Sequence, residues 1–121
     1  MAQSDQLRLT GIRIEAAHGV YAQEKLKPQP FLIDVLVGLF PRPADDDLAT
    51  TLDYSLLAAD IAAASTGDSV DLIETLAEKV AATCLGNNLV REVEVTVHKP
   101  EAPMPVPVGD VSVTITRRRP E

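Results

Sequence analysis

The sequence predicts an α+β domain with element order β-β-α-α-β-β, an antiparallel sheet of four strands with two helices on one face. Three observations predict it. Apolar residues alternate with a period of two in four separate stretches. A period of 3.6 holds in only two stretches, and both lie between the strand pairs. A chain of 121 residues, 45% of them hydrophobic, suits one domain over 1–121 and buries about two thirds of its unfolded surface.

The first strand comes from "QLRLTGIRIEAAHG". Leu7 and Leu9 share one parity, Ile12 and Ile14 the other, and the phase slips at Thr10-Gly11. An extra residue at a glycine is how a β-bulge appears in sequence, so residues 6–17 read as a bulged strand. Gly19, Pro28 and Pro30 punctuate a loop after it. "FLIDVLVGLF" is the second strand, with Phe31, Ile33, Val35, Val37 and Leu39 facing inward. Leu32, Leu36 and Phe40 give it a partly apolar second face. Such a sheet wants cover on both sides, from helices or from another subunit.

A polar connection containing Asp45, Asp46 and Asp47 reads as a solvated acidic loop; it lacks the spaced ligands of a calcium loop. "YSLLAADIAAAS" is the first helix, N-capped by Asp53, with Leu57, Ile61 and Ala64 as its stripe and Gly67 as its stop. "DLIETLAEKVAATCLG" is the second. Asp71 and Glu74 have capping-box spacing, Ile73, Leu76, Ala77, Val80 and Cys84 share a face, and Gly86 suits C′. Strands at 91–99 and 110–117 close the chain, the last with Val111, Val113 and Ile115 inward. Two sheet edges remain to be protected; pairing from chain to chain would do it.

A net charge of −7 argues against nucleic acid and anionic membranes as partners, since both need a basic footprint. Arg117, Arg118 and Arg119 read as a solvated tail. The single cysteine, Cys84, leaves no intrachain disulfide. No run approaches the roughly 20 apolar residues of a membrane span, and "MAQSDQLRL" lacks the segments of a signal peptide. A cytoplasmic protein is the expectation.

Phosphate-loop, dinucleotide and nucleophile-elbow motifs are absent. Two histidines and one cysteine supply too few nitrogen and sulfur ligands for a catalytic zinc unless carboxylates fill in. Lys99 stands out instead. It shares the parity of Val93, Val95 and Val97, so it ends an apolar stripe rather than a wet one. One reading is a lysine snorkelling to water; the other is a lysine at a pocket rim, placed for proton transfer. Glu74 either completes a capping box or aims a carboxylate at a planar amidine-like edge. Tyr54 is core filler or a ligand-stacking hydroxyl. Glu24 alone reads as a surface charge, and His18 beside Gly19 as a structural hydrogen-bonding residue.

Four stretches, in this order and spacing, resemble the dihydroneopterin aldolase family: "HGVYAQE" at 18–24, "TTLDY" at 50–54, "LIETLAEKVA" at 72–81 and "HKPEAPMP" at 98–105. The resemblance implies the tunnelling fold, in which chains join sheets into a barrel, four to a ring and two rings to a homo-octamer. It implies Lys99 as general acid/base, Glu74 and the Ile73 backbone as anchors of a pterin's amino-pyrimidinone edge, Glu24 as a further substrate contact, and Tyr54 as a catalytic and binding residue reaching a neighbouring subunit's pocket. It implies retro-aldol cleavage of 7,8-dihydroneopterin in folate biosynthesis, with no cofactor, no metal and no Schiff base. Alternatives are a dihydroneopterin triphosphate epimerase of the same fold, or a pterin-binding ring protein without catalysis. A triphosphate wants clustered cations, and only Lys25 and Lys27 lie near Glu24 in sequence.

Overall fold

In the computed structural model, which describes residues 5–120, the alternating stretches form one antiparallel sheet in the order β1-β2-β3-β4. Its strands are β1 (Asp5–Ala16), β2 (Gln29–Leu39), β3 (Val90–His98) and β4 (Ser112–Arg118). Residues 1–4, part of the stretch inspected for targeting signals, and residue 121 lie outside the described residues. The bulge falls where the phase slips: the β1–β2 register shifts between Leu9 and Ile12. Gly11 sits there at φ +73°, a left-handed conformation that glycine adopts without strain.

Among the described residues, three α-helices and a 3-10 turn at Leu48–Thr50 join the strands: α1 (Ala22–Leu26), α2 (Tyr54–Ser65) and α3 (Ile73–Leu85). The short α1 lies inside the expected loop at 18–30. Its "AQEKL" is made of helix formers, but five residues carry no readable period, and Gly19 and the prolines around it signal a loop. Asp53 caps α2 as expected, accepting from the N–H groups of Ser55 (3.0 Å) and Leu56 (3.3 Å). Leu57, Ile61 and Ser65 are buried on α2; Ser65 replaces the expected Ala64, and its hydroxyl donates to the Ile61 carbonyl at 2.7 Å. The capping box expected at α3 does not form. The N-cap is Leu72, with no side-chain cap; Asp71 instead pairs with Lys25, 2.7 Å away. Gly86 is the C-cap itself, in the right-handed region, so the αL role expected for it at C′ is not used.

Both long helices lie on the face carrying Phe31, Ile33, Val35, Val37, Val93, Val95 and Val97, all buried. Leu57, Ile61, Leu76, Ala77, Val80 and Cys84 complete the core. Each fully buried aliphatic side chain contributes roughly 1.5–3 kcal/mol, so few aromatics are needed. On the face without helices, Leu32 and Leu36 are only half-buried and sit among Asp34, Glu94, Thr96 and His98. No helix among the described residues is long and apolar enough to cross a membrane.

Candidate active site

The apolar stripe of β3 leads to a cleft of ≈ 410 Å³. Its lining comes from three places: Val20, Tyr21 and Glu24 around α1, Asp71 to Glu74 at the start of α3, and Lys99 to Val113 along the β3–β4 connection. Lys99 continues the inward parity of Val97, so its ammonium enters on the helix side of the sheet. There Nζ lies 2.7 Å from Glu24 Oε2, with side chains 12% and 5% exposed. A pair this buried needs further hydrogen bonds to offset its desolvation. Glu24 has them: the Gln29 amide donates to Oε2 at 3.1 Å and the Tyr21 N–H to Oε1 at 3.3 Å. Burial pushes the Glu24 carboxyl up, but the Lys99 ammonium, the Gln29 amide and the Tyr21 N–H together hold it below its ordinary range.

Gly19 makes room for that carboxylate. A Cβ there would stand 2.2 Å from Glu24 Cδ, and the backbone has φ +152°, which L side chains rarely adopt. The same turn is tied to the loop before α3. Gly19 N–H donates to the Val70 carbonyl at 3.0 Å, and the Ser69 hydroxyl donates to the Ala17 carbonyl at 2.6 Å. His18, 3% exposed, locks the junction. A backbone N–H can only donate, so the Val70 N–H at 3.1 Å fixes Nδ1 as an acceptor. The hydrogen is then on Nε2, which donates to the Ser65 carbonyl at 2.6 Å. Burial is the main force lowering the His18 pKa; the Ser65 carbonyl opposes it, and the charges of Lys79, Lys25 and Lys99 add to it. The imidazole is held neutral.

Glu74 lines the same cleft as Lys99, from the first turn of α3. It is exposed, and its carboxylate accepts no hydrogen bond among the described residues. Since the capping box does not form, that carboxylate is free to take a ligand. The first N–H groups of a helix have no intrahelical acceptor, so Ile73 and Glu74 also present their backbone to the cleft.

The chain thus brings together Glu24, Ile73, Glu74 and Lys99. It does not bring Tyr54 to them. Tyr54 opens α2, is 60% exposed, and lies at the end of the helix pair where Asp53 and Leu56 meet Gly86 and Asn87. The cleft is at the other end of α3, whose 13 residues span roughly 20 Å at 1.5 Å per residue. Sequence reasoning did not assign Tyr21 or Met104 to the site. Both are large apolar side chains exposed in the monomer, within two of the stretches quoted above. His18 was read as structural, and its hydrogen bonds agree with that.

The family model for dihydroneopterin aldolase (FolB) matches residues 7–116. A dihydroneopterin aldolase of Streptomyces coelicolor is 48% identical over 117 residues, covering 95% of this chain and 98% of that protein. The crystal structure of Escherichia coli dihydroneopterin aldolase in complex with neopterin superposes with a TM-score of 0.85 at 27% identity, over 93% of this chain and 98% of that one. A Burkholderia dihydroneopterin aldolase bound to guanine gives 0.80 at 25%, over 98% and 93%. With matches that span nearly the whole chain and the same layered sheet, the chain belongs to the dihydroneopterin aldolase family.

Proposed function

We propose that the cleft binds 7,8-dihydroneopterin and that Lys99 moves the protons of its cleavage. The activity is that of an aldehyde-lyase of folate biosynthesis: retro-aldol cleavage to 6-hydroxymethyl-7,8-dihydropterin and glycolaldehyde. The observation that carries the site assignment is the meeting in one cleft of the buried Lys99–Glu24 pair, 2.7 Å apart, and the free carboxylate of Glu74. A carboxylate beside two helix N–H groups matches the donor-and-acceptor edge of an amino-pyrimidinone. Neopterin and guanine, bound by the two structural relatives, both carry that edge.

The electrons have a route within the substrate. Removing the proton of the side-chain 2′-hydroxyl lets its C–O become a carbonyl as the C1′–C2′ bond breaks. The bond's electrons pass through C1′=C6 onto N5, which takes a proton. The resulting enamine is then protonated at C1′ and gives up the N5 proton, returning the imine. Lys99 is suited to exchange these protons, through ordered water where it does not touch the reacting atom. Glu24 holds the ammonium in place. The ring is its own electron sink, so the scheme uses no Schiff base to Lys99.

Tyr54 enters from a second copy of the chain, since its own cleft lies at the far end of α3. β1 and β4 are the two free sheet edges, and pairing them from chain to chain would close a ring. We take a homo-octamer of two such rings as the working assembly, and the cytoplasm as its location. The epimerase reading finds less support. Lys99 is committed to Glu24 and Lys25 to Asp71, which leaves the cleft wall poor in free cations for a triphosphate.

The test is an anaerobic incubation with 7,8-dihydroneopterin, read for glycolaldehyde and hydroxymethyl-dihydropterin. Both products are expected, and Glu74→Ala should raise the dissociation constant for neopterin about ten- to a hundredfold, the loss of a charge-assisted contact. Substrate bound without product would overturn the reading in favour of a binding protein.

A further inference from the structure

On the face of the sheet opposite Lys99, the preceding residue, His98, lies between two carboxylates. Its Nδ1 is 2.7 Å from Asp110 Oδ2 and its Nε2 is 2.8 Å from Asp34 Oδ2. A carboxylate can only accept. Both contacts are therefore hydrogen bonds only when both ring nitrogens carry hydrogen. The second oxygens of the two acids are also used. Asp34 Oδ1 accepts from the Gly11 N–H at 2.7 Å, inside the β1 bulge, and Asp110 Oδ1 from the Val111 N–H at 2.9 Å. The chain of bonds runs from the bulge in β1, through β2 and β3, to the residues just before β4. It ends on the connection that walls the cleft: the Lys99 N–H donates to the Val111 carbonyl at 2.7 Å.

Other ionisable groups leave this arrangement in place. From β1, Arg8 acts on Asp34, while Arg13 is taken by Glu15 at 2.9 Å. β3 itself adds Glu94, four pairs further along the ladder. β4 presents Ser112, opposite His98 in register, and Thr114, whose hydroxyl pairs with Thr96 at 2.8 Å. The helices pack on the other face.

We propose that His98 is a positioning residue for the reaction, an imidazolium that bridges Asp34 and Asp110 and so anchors the 99–111 connection carrying Lys99 and the Ala102–Met104 wall. The hydrogen bond to Asp110, then that to Asp34, raises the His98 pKa against a smaller opposing effect of burial. Loss of one proton leaves a bare nitrogen facing a carboxylate. The connection is then released at one end, and Lys99 is no longer held against Glu24. This deepens the reading of the cleft and rests on it.

The charge state is measurable without turnover. In 15N-labelled wild-type protein just above pH 6.5, the ordinary histidine value, both His98 nitrogens should show protonated-type shifts. A neutral ring there overturns the proposal. The kinetic arm uses Asp110→Asn and Asp34→Asn, each removing one charge that favours the imidazolium. The alkaline limb of kcat/KM should move to lower pH in both, with a loss of up to roughly tenfold that grows as pH rises above 6.5 and activity within about twofold of wild type below it. The loss should lie in kcat more than in KM. A merely structural role would lower activity evenly across pH, and an unshifted limb in both variants overturns the proposal. If wild type made no product, the NMR result would still stand or fall alone. Neopterin affinity against pH would then replace turnover, so failure of the clamp and failure of the aldolase reading are distinguishable.

Discussion

His18 and His98 each hold one wall of the cleft, and they do so in opposite charge states. His18 sits 3% exposed among backbone groups, a donor on one side and an acceptor on the other, and only the neutral ring satisfies both. His98 has a side chain 27% exposed between two acceptors, and only the charged ring satisfies both. The first fixes the turn that brings Glu24 in from α1. The second fixes the connection that brings Lys99 in from β3. The same side chain is tuned two ways by what its two nitrogens face, and the Lys99–Glu24 pair forms where the two walls meet.

The comparison can be broken most severely on the His18 side. Gly19→Ala places a Cβ against the Glu24 carboxyl in a backbone conformation unfavourable for alanine. A loss of more than about 2 kcal/mol in chemical denaturation is expected, along with most activity. His18→Ala comes next. It strips two buried hydrogen bonds and leaves their backbone partners unsatisfied, which costs about 1–3 kcal/mol per unsatisfied group. Asp110→Asn should cost far less stability, within about 1 kcal/mol, because its carboxylate is 42% exposed and such contacts are screened. Lys25→Met, which removes an exposed pair with Asp71, should be the mildest, also under about 1 kcal/mol.

pH sharpens the same contrast. The folded His18 value is lowered from 6.5, so its contribution is complete above that value. It is lost as pH falls through the lowered one. The folded His98 value is raised from 6.5, so its contribution is complete below that value and is lost as pH rises through the raised one. Glu24, depressed from 4.5, adds a further loss at lower pH. Urea midpoints measured against pH should fall on both sides of a neutral plateau. His18→Ala should flatten the acid side between the histidine and carboxylate ranges, and His98→Ala the alkaline side. A wild-type midpoint that rose steadily through the alkaline range would contradict the assignment of His98.

Much of this was legible in the sequence, and the remainder was not for identifiable reasons. Parity alone put Lys99 on the inner face, and the phase slip at Thr10-Gly11 located the bulge. The partners were hidden by distance along the chain. His98 meets Asp34 across 64 positions, and no local pattern records that pairing. Glu24 sits on a helix too short to show a period, so it read as a surface charge until the family resemblance gave it a role. The Asp71–Glu74 spacing suggested a cap, but Asp71 pairs with Lys25 instead, a contact 46 positions away that no local pattern records. That left Glu74 free for a ligand. Tyr54 was placed by resemblance, and a single chain leaves it at the far end of α3, away from the cleft.

The central claim is that the ammonium brought to the cleft by both walls moves the protons of the cleavage. The most direct measurement is turnover and neopterin binding of Lys99→Ala, beside wild type, at a pH where both are folded. The account predicts a fall in kcat of roughly 10²–10⁴-fold, with the neopterin dissociation constant changed only a few-fold. Full kcat in the variant would contradict it.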